Sequence, residues 1–139
     1  RRNRPRPAAA RSSYTIDDYP NLSPTSSSYS KEVRELFDTL QKAILAIDPV
    51  VTVDYLKLYI AFKAETNFVD VVPQLRRLRL TLNMRFAEII DPRGLCKDVT
   101  NLGRWGNGDV EIGFSSLEDF PYVLGLIRQS FDYQMNGST

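Results

Sequence analysis

The hydrophobic period of this chain changes twice, and that change constrains the fold more than any other feature. Val33, Leu36, Phe37, Leu40, Ile44 and Ile47 recur every three or four positions, the spacing of one apolar stripe on a helix. Lys31, Glu32, Glu35, Asp38 and Lys42 fill the opposite side. Ser30 stands where an N-cap belongs, and Asp48-Pro49 ends the pattern. From Tyr55 the period becomes two. Leu56, Leu58, Ile60 and Phe62 alternate with Tyr55, Lys57, Tyr59, Ala61 and Lys63, as in a strand with one buried face. "NFVDVVP" is a second β-rich run. In "RRLRLTLN" Leu78, Leu80 and Leu82 point one way and Arg77, Arg79 and Thr81 the other. In "DVEIGF" Val110, Ile112 and Phe114 point inward, with Asp109 and Glu111 outward. The helical spacing then returns in Leu117, Phe120, Val123, Leu124, Ile127 and Phe131, with Ser116 as N-cap and Pro121 early enough to be tolerated.

Strands grouped between two helices define an α+β domain with an antiparallel sheet of about four to five strands, not alternating βαβ units. Each helix has one apolar stripe, so both are expected on the same face of the sheet, leaving the other face polar. The connection between Leu82 and Asp109 is too long for a hairpin, and "DPRGLCKDVT" is expected to contribute a short helical turn within it. The domain is expected over residues 31–135, followed by a frayed tail at 136–139. Residues 1–30 read as a basic Pro/Ser-rich arm or linker. Tyr14, Ile16, Tyr19 and Leu22 are nevertheless available to dock as an extended strap. The chain begins with Arg1, which suggests a piece of something longer.

Residue types exclude several chemistries. No histidine is present, which removes Ser-His-Asp and Cys-His catalysis and the usual zinc sets. One cysteine, Cys96, allows no disulfide framework and fits a reducing, cytoplasmic setting. It has no histidine to activate it, so a nucleophilic role is not expected. Asp70, Asp109 and Glu111 are the acids a metal nuclease would need, but no acid-x-Lys signature accompanies them. No catalytic residue, metal or cofactor is expected. No apolar run approaches the roughly 18 residues of a membrane span.

"GRWGNGDV", Gly103 to Val110, is the densest stretch. A phosphate loop joins a strand to a helix, whereas this one runs into a strand, so its glycines read as turn formers. Trp105 reads as packed against the core, with an exposed anchoring role as the alternative. Residues 1–30 carry five Arg against two Asp, and residues 31–139 carry 13 Lys/Arg against 15 Asp/Glu, so the basic excess lies in the arm. The polar sheet face is expected to present Lys57, Tyr59, Lys63, Arg77 and Arg79 beside Asp109 and Glu111. Two readings of it are open: cross-strand charge pairing, or a groove for an anionic or planar ligand. Arg76 falls outside the alternation and belongs in a turn.

The runs "LKLYIAFKAETNFVDVVPQLRRLRLTLNM", "DPRGLCKDVTNLGRWGNGDVEIGFSS" and "YVLGLIRQSF" resemble an uncharacterised domain family sometimes labelled "predicted transport protein". Such domains occur alone or at the C-terminus of larger bacterial proteins, several of which resemble the GmrSD class of modification-dependent restriction nucleases. The resemblance implies a non-catalytic accessory domain of a restriction or phage-defence protein, with the nuclease domains upstream in the same chain. Its partner would be DNA, contacted by Lys57, Tyr59, Lys63, Arg77, Arg79, Arg104 and Trp105. The alternatives are a protein-interaction or self-association module, or a small-ligand or modified-base pocket around Tyr59, Asp70, Trp105 and Asn107.

Overall fold

The computed structural model describes residues 14–23, 28–100 and 108–136, with side chains described from 31 onward in the first helix. Much of the expected arm and nearly all of the expected tail thus lie outside the described residues. Helix α1 spans Ser28–Leu45. Strands β1 (Thr52–Tyr55), β2 (Ile60–Lys63), β3 (Asn67–Pro73) and β4 (Leu78–Leu82) follow. A long connection carries the two-residue strand β5 (Lys97–Asp98), and the chain then forms β6 (Val110–Phe114) and helix α2 (Phe120–Met135). The six strands make one sheet in the order β1-β2-β3-β4-β6-β5, and every pairing is antiparallel. The α+β architecture is the expected one, with one strand more than the upper expectation.

One face of the sheet is built from residues that the register places opposite one another. Phe62, Val69, Leu82 and Val110 form one cross-strand row, and Ile60, Val71, Leu80 and Ile112 the next. All are buried, together with Val33, Leu36, Phe37, Leu40 and Ile44 of α1 and Val123, Leu126, Ile127 and Phe131 of α2. Both helices therefore cover the same face. At the end of β2 the register shifts, so that Phe62 faces Val69 while Lys63 faces Asn67, and Phe68 is the extra residue of a bulge. The bulge adds the Phe68 ring to the core, edge-on to Phe131 at 5.3 Å. The Ser130 hydroxyl donates to the Phe68 carbonyl at 2.6 Å and ties α2 to this point.

The structure corrects several expectations. Residues 55–63 are not one strand but a hairpin that reverses at Lys57-Leu58, closed by Leu56 N–H donating to the Tyr59 carbonyl at 3.0 Å. No Gly, Pro or Asn marks this turn, which is why the alternation conceals it; Leu58, expected inside, is 52% exposed. Helix α1 begins at Ser28, so Ser30 lies within it and does not cap it. The helical turn of the long connection falls at Phe86–Glu88, not in "DPRGLCKDVT", which holds β5 instead. Ser116 does cap, but it caps a 3-10 turn at Leu117–Asp119 that leads into α2, and Leu117 points outward at 52% exposure. Tyr19 and Leu22 are buried in the core, so the packed body includes residues ahead of 31.

Candidate functional site

Antiparallel pairing puts the β1–β2 and β3–β4 turns at the same end of the sheet, and this end gathers most of the expected binding residues. Lys57 and Leu58 form the first tip. In the second, Gln74 N–H donates to the Arg77 carbonyl at 2.8 Å, which leaves Leu75 and Arg76 at the apex. Lys57, Arg76 and Arg77 are exposed, as are Leu58 and Leu75, at 52% and 49%. The tips lie two strand spacings apart, roughly 10 Å.

Both tips are held from within. The Tyr19 hydroxyl lies against the carbonyls of Leu56 and Tyr59, 3.2 Å from the latter, and fixes the first reversal from the core side. Burial pushes this phenol well above its ordinary pKa, so it remains a neutral donor. The Asn21 amide donates to the Pro73 carbonyl at 3.2 Å, next to the second tip. Arg77 Nε donates to Gln74 Oε1 at 2.7 Å. Its guanidinium lies over Gly113: a Cβ built there would fall 2.6 Å from Nη1. Gly113 is thus the cradle of the Arg77 side chain.

The sheet face opposite the helices is less open than expected. Asp54, Ala61, Asp70, Thr81, Glu111 and Lys97 form one cross-strand row. Its centre is buried: Ala61, Asp70, Thr81 and Glu111 are exposed by 9% or less. Arg79, half-buried, pairs in register with Val72 and Gly113 and so lies diagonal to both Asp70 and Glu111. The Asn67 amide donates to Asp70 at 3.1 Å. Lys63 lies at the other end of this face, bound to Asp54 at 2.9 Å. Cross-strand charge pairing therefore describes Lys63, and a continuous basic groove does not cross the face.

Of the expected site residues, Lys57, Tyr59, Arg77 and Arg79 lie at or next to the hairpin end, and Lys63 is set apart from them. Arg104, Trp105 and Asn107 lie outside the described residues, so the packing of Trp105 and the pocket built on Tyr59, Asp70, Trp105 and Asn107 do too. Leu58 and Leu75 carry a signal that periodicity could not separate from core leucines. Only their place in a turn reveals it. Among the described residues no group of three His, Cys, Asp or Glu could hold a metal ion. No described helix is long and apolar enough to cross a membrane.

A second polar cluster secures the long connection. Asp91 accepts from the Tyr122 hydroxyl at 2.5 Å, Cys96 N–H at 2.7 Å and Leu95 N–H at 3.1 Å. Arg93 bridges to Asp119 at 2.9 Å and lies 4.8 Å from the centre of the Tyr122 ring. These contacts hold the "DPRGLC" turn on α2.

The sheet, its two helices and the braced hairpin end define a small α+β module whose distinguishing surface is one cationic, leucine-bearing end. The chain belongs to the family described as "Domain of unknown function (DUF5655)", which it matches over residues 23–134. It is also similar to a Haemophilus influenzae protein described as "Uncharacterized protein", at 39% identity over 98 residues, covering 70% of this chain. The matched region spans about a third of that relative's length, 32%. No solved structure matches the chain significantly.

Proposed function

We propose that this chain is a non-catalytic accessory module that contacts nucleic acid through its hairpin end, within a larger DNA-processing protein of the restriction or phage-defence type. The observation that carries the contact is the exposure of Lys57, Arg76 and Arg77 on adjacent turns braced by Tyr19, Asn21 and Gln74. A braced backbone fixes where these cations sit, and the Arg77 guanidinium, held by Gln74, has less freedom to lose on meeting phosphate. The net charge of −2 over residues 31–139, from 13 basic and 15 acidic side chains, makes this contact local and not a property of the whole surface. The host assignment rests on the family resemblance of the three sequence runs. The match to one third of a longer bacterial relative supports a modular role.

The test is fluorescence anisotropy with duplex DNA over a salt series. Binding should weaken steeply with salt. A Lys57→Ala, Arg76→Ala, Arg77→Ala variant should flatten the slope by roughly one for each phosphate it no longer neutralises. Lys63→Ala should leave it unchanged. Absence of salt-sensitive binding at low ionic strength would overturn the proposal, as would an unaffected triple variant.

A protein partner is the second reading, favoured by the exposure of Leu58 and Leu75 at the same tips. It predicts that Leu58→Asp with Leu75→Asp abolishes association with upstream domains while the cation variant does not.

A further inference from the structure

Helix α1 and the start of α2 line a groove that shares no residue with the hairpin end. It measures about 570 Å³ and is lined by Asp38, Thr39, Lys42 and Ala43 of α1, by Ala46 just past the end of that helix and by Phe120 of α2. Its floor is mainly methyl and ring surface. Asp38, Lys42 and Ala46 are exposed. An exposed apolar strip of this kind, rimmed by charge, marks a contact surface.

We infer that this groove is the contact surface for a second copy of this chain, formed by antiparallel packing of α1 against α1. Charge complementarity selects the occupant. Asp38 and Lys42 are opposite in sign and one helical turn apart, on neighbouring positions of one helix face. In an antiparallel pair centred near residue 40, Asp38 of each copy comes level with Lys42 of the other. The same symmetry makes this ion pair twice, as an isologous contact requires. Thr39 crosses at the centre, and Ala43 and Ala46 have side chains small enough for close approach of the two helices, about 8 Å at the short end of the usual range. Asp38 also receives Arg34 Nε at 3.2 Å, and a carboxylate so paired keeps further acceptor positions for the partner's Lys42. A parallel arrangement would set Asp38 against Asp38 and Lys42 against Lys42, so the charges choose the direction as well as the partner. These residues lie on α1 and not on the hairpin tips, so dimerisation and nucleic-acid contact can fail separately.

Sedimentation velocity of the 139-residue chain over a concentration series tests the dimer, with circular dichroism confirming that each variant is folded. The wild type is expected to form a dimer. Lys42→Glu should weaken association by at least about tenfold, because it creates two like-charge contacts. Asp38→Lys with Lys42→Glu should restore the dimer by exchanging the signs. A wild type that remains monomeric throughout the series overturns the inference. So does a dimer indifferent to Lys42→Glu, or one that the double reversal fails to restore.

Discussion

Gln129 pairs with the backbone of Ile90 through both ends of its side-chain amide. Its Nε2 donates to the Ile90 carbonyl at 2.8 Å, and its Oε1 accepts from the Ile90 N–H at 2.8 Å. A side chain on α2 thus takes the place of a neighbouring strand for one residue of the long connection. Gln129→Ala removes both bonds and should cost roughly 1–3 kcal/mol, measured by urea unfolding. Gln129→Glu keeps the acceptor, loses the donor and sets a carboxylate against a carbonyl. Hydrogen exchange at the Ile90 amide should therefore accelerate more in the Ala variant than in the Glu variant.

Cys96 is expected to be chemically quiet. Burial, with the Asp91 carboxylate beside it, pushes the thiol up to about 12. A thiol ionises as pH rises, so at neutral pH almost none is thiolate, and iodoacetamide should react far more slowly than with a free cysteine. Asp91→Asn removes the negative neighbour and should move the onset of alkylation to lower pH. A wild-type rate equal to that of free cysteine would show that neither burial nor Asp91 protects the thiol.

Asp91 also sets an acid dependence of stability. Burial favours its neutral form, but bonds from the Tyr122 hydroxyl, the Cys96 and Leu95 amides and the Cys96 thiol outweigh burial and hold its pKa below the ordinary aspartate value. A folded-state value below the unfolded one means that the stabilisation is present in full above the unfolded pKa. It is lost as pH falls through the ordinary carboxylate range toward the lower folded value. Thermal unfolding at a series of pH values should show a loss on acidification that Asp91→Asn lacks in part. Equal acid sensitivity of the two proteins would mean that Asp91 contributes nothing to it.

Two glycines with positive φ should respond differently to alanine. Gly94 has φ of 69°, and nothing lies within 4 Å of an added Cβ. Its replacement should cost only the left-handed backbone term, about 1 kcal/mol. Gly108 has φ of 132°, and a Cβ there would lie 2.0 Å from the Leu82 carbonyl oxygen. Backbone would have to move where the chain enters β6, so Gly108→Ala should cost on the order of 3 kcal/mol or more. Urea midpoints of the two variants give the comparison directly. The glycine of "GRWGNGDV" nearest the strand is thus required by close backbone approach as well as by its φ.

The alternation of Leu78, Leu80 and Leu82 and the stripe from Val33 to Ile44 identify their elements by themselves, because side-chain period follows from backbone geometry before any long-range contact forms, and the grouping of such strands between two helices gives the α+β class. The same rule misreads residues 55–63. Alternation does not show where a strand turns back when the turn has no Gly, Pro or Asn, and only the pairing of β1 with β2 reveals that Leu58 is at a tip. β5 is equally hidden: two residues carry no period, and Lys97-Asp98 is a strand only because β6 runs beside it. Candidate binding residues are legible as types but not as a set. Lys57, Arg76 and Arg77 share one end because antiparallel pairing brings alternate turns together, whereas Lys63 is carried to the other end and paired with Asp54. Periodicity is local, so the sequence assigns faces to residues. Neighbours across the sheet depend on register and strand order, and those are decided only when the tertiary structure packs both helices on one side.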